Sequence, residues 1–262
     1  MSTTSIFNAS IVITAFAFMS AAGMANAAPF KNLPADPNAE LSVGANVIIT
    51  NSAYDVDGSE VRVLPGVFYD NNKFYARGAQ AGAYLINDGT NQLSAYAQLA
   101  GNEFDPEDAN GALSGLDERK ASAAAGLTYQ RRTPIGGFRA QIATDILGRN
   151  DGNFGRLTYL TRISKDKLTV YPSVGIEWND EDFNDYYYGV SDAESERTGV
   201  AAYSPSQSFS PYVSVSANYD INDKWVGFAS QTLNYLSNEQ HDSPMVDSRV
   251  DSNTVVGLLY KF

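Results

Sequence analysis

The stretch "LTVYPSVGIEW" at 168–178 alternates without a slip: Leu168, Val170, Pro172, Val174, Ile176 and Trp178 fall on one face of an extended chain, and Thr169, Tyr171, Ser173, Gly175 and Glu177 on the other. One face is oil and the other is wet. The same pattern returns at 208–219, where Phe209, Pro211, Val213, Val215, Ala217 and Tyr219 oppose a run of Ser, Tyr and Asn. It returns again at 137–147, where Phe138, Ala140, Ile142, Thr144 and Ile146 oppose Arg139, Gln141, Ala143 and Asp145. Less regular versions lie at 41–50, 61–70, 73–85, 92–101, 120–132, 154–163 and 224–235. The closing "TVVGLLYKF" is one more, with Thr254, Val256, Leu258, Tyr260 and Phe262 on one face. Segments of about ten residues, alternating and separated by turn residues, predict an all-β, transmembrane, antiparallel up-and-down β-barrel of the outer-membrane type.

The segments number eleven, and a barrel with both ends of the chain on one side needs an even number. The expectation is therefore about twelve strands, the missing one being sought in the long irregular stretches 102–119 or 179–207. Short connections, "DNNK" at 70–73, "SKDK" at 164–167 and "INDK" at 221–224, read as tight hairpins. Tyr219 and Trp225 flank the last, where an interfacial ring would sit. Pro172 and Pro211 strain their segments, because Pro removes a ladder donor.

The first 28 residues carry no charge and run through an apolar stretch to Ala25-Asn26-Ala27, the form of a secretory signal with its cleavage site. This divides the chain into a cleaved signal (1–27), a short periplasmic segment (28–40) and the barrel (41–262). After the signal no apolar run reaches 18 residues, so a spanning helix is not expected. There is no cysteine, hence no disulfide scaffold. A net charge of −12 argues against nucleic acid, whose binding depends on neutralising phosphates. Sixteen Tyr and thirteen Phe supply rings suited to a boundary between oil and water.

Catalytic chemistry has little to work with. The single histidine, His241, stands next to Asp242 and Ser243, and consecutive residues cannot converge as a triad by themselves. The acidic run "EWNDEDFND" at 177–185 lacks the spacing and the glycine of a calcium loop and reads as a solvated loop. Neither a metal ligand nor a cofactor site is assigned. The inward charges Arg139, Asp145, Arg156, Arg162 and Glu177 suggest a mixed-charge lumen. If Leu147 lay opposite Phe154 in the hairpin around "GRNDGN", Asp145 would face Arg156. The tyrosine run 186–188 is either a recognition surface or a packing cluster.

The segment "DYYYGVSDAESERTGVAAY" at 185–203 resembles the signature region of the MipA/OmpV family, the MltA-interacting outer-membrane proteins. "VRVLPGVFYDNNKFYARG" from Val61, "LSGLDERKASAAAGL" from Leu113, "YPSVGIEW" from Tyr171, "DSPMV" from Asp242 and the final "GLLYKF" agree in order. Tyr188-Gly189-Val190-Ser191 followed by Glu194 is the most specific element, and Gly115, Asp117 and Arg119 support it; Thr198-Gly199 stands where Ser-Gly is usual. The resemblance implies a non-enzymatic barrel in the cell outer membrane that acts as a scaffold, joining a lytic transglycosylase to a penicillin-binding protein that synthesises peptidoglycan. A small porin and an adhesin using acidic loops are the alternatives among its members. It marks Tyr187, Tyr188, Gly189, Val190, Ser191, Glu194 and Gly199 as partner-facing candidates. Tyr260 and Phe262 resemble the C-terminal label read by the barrel assembly machinery. Outer-membrane lipid and lipopolysaccharide would surround the wall.

Overall fold

The computed structural model describes residues 39–262; the expected signal and nearly all of the 28–40 segment lie outside them. Thirteen strand segments follow in order: β1 Glu40–Asn51, β2 Glu60–Asp70, β3 Phe74–Arg77, β4 Gln80–Asn87, β5 Asn91–Ala100, β6 Ser122–Thr133, β7 Gly136–Asp145, β8 Asn153–Leu160, β9 Ile163–Lys165, β10 Leu168–Asn179, β11 Ser208–Asp220, β12 Trp225–Tyr235 and β13 Val250–Lys261. Each pairs antiparallel with its neighbours, and β1 pairs with β13, so the sheet closes. β8 and β9 both lie on β10 in one continuous register, Ser173 opposite Leu160 and Val170 opposite Ile163. They form a single stave, interrupted where Pro172 offers no N–H to the ladder. The barrel therefore has twelve staves.

The twelfth strand is not in either long irregular stretch. It comes from 73–85, which reverses halfway: Gly78 adopts φ 58°, and its N–H donates to Val67 O at 3.1 Å. A positive φ that glycine adopts freely turns one expected strand into the short pair β3 and β4. The alternating pattern runs across this turn, which is why the sequence reads as unbroken.

The alternation has the consequence expected of it. Ile142, Leu157, Val174, Val213 and Val256 are exposed on the outer wall, as a lipid-facing band should be. Inside, aromatic rings sit on glycines directly opposite them: Tyr75 faces Gly82, Tyr212 faces Gly175 and Phe228 faces Gly257. A Cβ at Gly82 or Gly175 would come within 2.6 Å of the ring, so the missing side chain makes the seat. At the end holding both the start of β1 and the end of β13, the turns are short. There Trp225 packs edge-on against Tyr260 at 5.2 Å, and Tyr260 against Phe262 at 5.1 Å. Phe262 N donates to Leu41 O at 3.0 Å. At the other end the connections are long and fold together.

Candidate functional site

The long connections build a cap with its own core. Tyr54 from 52–59, Phe104, Leu113 and Leu116 from 101–121, Phe183, Tyr187, Tyr188 and Val190 from 180–207, and Leu236 and Met245 from 236–249 pack as one buried cluster. The expected loop at 180–207 is locally ordered by its own chemistry. Asp180 caps the helix Glu181–Tyr188 by accepting from Phe183 N at 3.0 Å, and Glu181 and Asp182 complement the positive end of that helix. Part of the acidic run is thus a helix start, not an irregular solvated loop; among the described residues no group of three acidic or histidine side chains converges as a metal site. The next helix, Asp192–Thr198, starts on a capping box between Ser191 and Glu194 and ends on Gly199 at φ 79°.

Two sequence motifs about seventy residues apart meet in this cap. Arg119 Nη2 donates to Glu194 Oε1 at 2.8 Å and to Gly189 O at 3.1 Å, while its Nη1 donates to Asp117 O at 2.9 Å. Glu194 also accepts from Asp117 N and Ser191 N at 3.0 Å each, and from Ser191 Oγ at 2.8 Å. The ion pair is buried, with side-chain exposures of 8% and 4%. Burial by itself would raise the Glu194 carboxyl, but the donors from Asp117, Ser191 and Arg119 outweigh it and bring the group down to about 2. Gly115 lies against Thr198, where a Cβ would come within 2.8 Å of the methyl group. Arg197 pairs with Asp117 at the surface, at 2.9 Å.

The partner-facing candidates are therefore mostly inside the cap. Tyr187 is 0% exposed and Tyr188 2%, and Val190 and Glu194 are also buried. Tyr54 OH donates to Tyr187 O at 2.8 Å, Asn102 Nδ2 to Tyr188 OH at 2.5 Å, and Tyr187 OH to Lys120 O at 3.2 Å. Burial pushes the Tyr188 phenol upward and raises that of Tyr187 to about 12. The tyrosine run is a packing cluster. Ser243 Oγ donates to Tyr188 O at 2.6 Å, and Arg249 Nη2 lies 2.9 Å from His241 Nδ1, so Ser243 and His241 take part in separate structural contacts.

The charged lumen is assembled in a different register from the one expected. Asp145 does not face Arg156: Gln141 does, and Arg139 faces Thr158. The reason is the "GRNDGN" loop. Asp145 turns its carboxylate into it and accepts from the N–H groups of Leu147, Arg149, Asn150 and Asp151 and from Ser122 Oγ, so the strands meet again only at Thr144 and Asn153. The slip is four residues, an even number, so every side chain keeps its face. Arg156 pairs instead with Glu177 on β10 and lies 5.4 Å from the centre of the Tyr212 ring. Arg139 donates to Gln130 Oε1 at 3.0 Å. Continuing the β8–β9 register puts Arg162 opposite Tyr171, inward and exposed at the short-turn mouth.

The family described as MltA-interacting protein MipA matches residues 43–262. The chain is 36% identical over 224 residues to the MltA-interacting protein of Escherichia coli (strain K12), covering 85% of this chain and 90% of that one. It is 30% identical over 156 residues to the outer membrane protein OmpV of Vibrio cholerae, covering 60% of each. Among solved structures it is similar to the NanC porin at a TM-score of 0.43 with 8% identity, covering 85% of this chain and 100% of that one.

Proposed function

The chain belongs to the MltA-interacting protein MipA family, and from that premise we propose that it is a non-catalytic outer-membrane scaffold that holds a lytic transglycosylase against its short-turn end. In barrels of this kind short turns face the periplasm and long loops the exterior. The observation that carries the reading is the placement of the motif: residues 187–194 lie within the cap, opposite the end where β1 begins and β13 finishes. What the murein side meets is then the rim of short turns, with exposed Lys167, Lys224 and Lys261 beside Asp166, Asp220 and Asp223. The motif acts indirectly, by holding the cap shut. A penicillin-binding protein would join the assembly through the transglycosylase or the same rim. Tyr260 and Phe262 would serve the barrel assembly machinery before the wall closes.

Pull-down from detergent extracts tests this. Wild-type bait and the cap variant Glu194→Gln should recover a lytic transglycosylase, and charge reversal at Lys167, Lys224 and Lys261 should lose it. A folded bait that recovers neither a transglycosylase nor a penicillin-binding protein removes the scaffold role and leaves the barrel standing. A second reading, a solute channel, is favoured by the inward Arg139, Arg156 and Glu177. Stable single-channel steps in a planar bilayer would support it. The connection 180–207, with seven acidic residues against the single Arg197, would be the surface of an adhesin.

A further inference from the structure

The inward face of β6, β7 and the β8–β9 stave carries charge of one sign near the short-turn mouth. Arg139 lies opposite Gln130 and Thr158, and Arg132, two residues beyond Gln130, lies opposite Gly137. Arg132 and Arg139 are thus diagonal neighbours, with backbones about 7–8 Å apart. Arg162, two residues beyond Leu160 on the same face, stands about 7 Å closer to the mouth than Leu160 does. Gly137 puts no side chain between Arg132 and Arg139, and no ring is seated on it. The nearest atom to where its Cβ would stand belongs to Leu160, at 3.5 Å, so the floor between the guanidiniums is small and apolar.

These three cations have no acid of their own. Arg139 donates to Gln130 Oε1 at 3.0 Å and Arg132 to Gly89 O at 3.2 Å, both neutral acceptors. The surrounding acids are committed elsewhere: Glu177 to Arg156 and Asn179, Asp70 to Arg77 and Tyr84, and Asp88 to the N–H groups of Thr90 and Asn91. Asp166 stands between Lys165 and Lys167 in the turn below. Residues 1–38, outside the described ones, contain a single acidic residue, Asp36, so the rest of the chain holds too few carboxylates to answer three guanidiniums. The patch is also out of character for a chain of net charge −12. Cations of one sign gathered in a narrow mouth with low-dielectric walls concentrate anions there.

We propose that Arg132, Arg139 and Arg162 form a binding site, just inside the short-turn mouth, for a small solute bearing two or more carboxylates. A planar guanidinium presents parallel N–H donors that match one carboxylate with two hydrogen bonds. Adjacent guanidiniums reward a second carboxylate on the same molecule, because once the first is held the second contact forms within the complex. Gln130 and Thr158, flanking Arg139, supply neutral hydrogen-bonding groups for the rest of the solute. The site requires a folded barrel with a wet mouth, and neither conductance nor a protein partner.

The test is a titration of the mature barrel in uncharged detergent with tricarballylate at constant ionic strength, followed by saturation-transfer NMR of the ligand. Binding should saturate, and acetate or inorganic phosphate should need about ten-fold more to displace it. Arg132→Gln and Arg139→Gln should each weaken it by about five-fold or more, and Arg139→Lys, which keeps the charge but not the fork, should fall between Arg139→Gln and wild type. Arg131→Gln, on the outward face opposite Phe138, should leave it within about two-fold. Heat-modifiable migration on gels checks that each variant is folded, and the rim lysines stay intact throughout, so the result is read independently of any scaffold role. Absence of saturable binding to the folded wild type overturns the site, as does binding that Arg132→Gln and Arg139→Gln leave unchanged or that Arg131→Gln weakens as much. Displacement by acetate or phosphate at the same concentration as tricarballylate overturns the requirement for a second carboxylate.

Discussion

Glu194→Ala should melt the cap and spare the barrel. The wild-type carboxylate accepts four hydrogen bonds, one of them from Arg119 within a pair less than a tenth exposed. Removing one partner of a buried pair costs about 3–5 kcal/mol, because the other charge is left buried without compensation. The proton equilibrium gives a similar size independently. A carboxyl held at about 2 in the fold against an ordinary value of 4.5 stabilises the cap by about 3 kcal/mol at neutral pH. The folded value is the lower one, so this stability is complete above about pH 4.5 and is lost as pH falls towards 2. The cap is the correct place to look for it, since loop cores open locally while a closed sheet does not. Hydrogen–deuterium exchange on the protein in detergent should show residues 102–119 and 183–203 losing protection by two orders of magnitude or more, with β6, β7 and β10 to β13 unchanged. The double variant Arg119→Met with Glu194→Leu should recover only part of the protection, since it leaves no orphaned charge but still strips the Asp117 and Ser191 N–H groups of their acceptor. If Glu194→Ala left cap protection within a factor of five, or loosened the strands as much as the loops, the account of the pair would be wrong.

Gly101→Ala should disturb the same cap from another direction, because Gly101 sits at φ 125° and its added Cβ would run into the Tyr187 hydroxyl; the same exchange experiment should show a loss of about 2 kcal/mol or more. Arg156→Glu should lower the temperature at which the barrel unfolds on heat-modifiability gels by setting two carboxylates face to face with Glu177. Adding Glu177→Arg should restore much of it, whereas adding Asp145→Arg should not, since Asp145 is committed to its loop. Ile142→Arg, on the lipid face, should cost about 2–4 kcal/mol in refolding equilibria if it lies near the bilayer midplane and about 0–1 if it lies near an interface.

How far the sequence disclosed this molecule depends on which interaction decides each part. Faces were legible because the side-chain period of a strand is two and lipid punishes a polar residue on the outside: Ile142, Val174 and Val213 declare themselves. Register was not, because it is set by loop closure. Asp145 could be read as one more inward charge, yet the N–H groups that claim its carboxylate come from a seven-residue connection whose shape no alternation encodes. The strand count came out right while its source did not, since a glycine inside an apolar run is silent until φ turns positive, and Gly78 does so where Gly82, four residues on, merely seats a ring. The motif around Glu194 was legible as a motif and opaque as to role. A capping box with Ser191 predicts a helix start, but only the fold brings Arg119 to that carboxylate from the other long connection. The glycines opposite Tyr75, Tyr212 and Phe228 were a signal that could have been used: a strand glycine in an inward position asks what fills its place, and here the answer is a ring one strand away. Applied to Gly44 and Gly66 the same question finds no aromatic seat. Gly66 meets the Leu259 methyl at 3.1 Å and Gly44 the backbone of Leu258 and Leu259. Rings therefore fill the space over Gly82, Gly175 and Gly257, while the inward glycines of β1 and β2 are met by an aliphatic side chain and by backbone, a difference that composition and alternation leave unmarked.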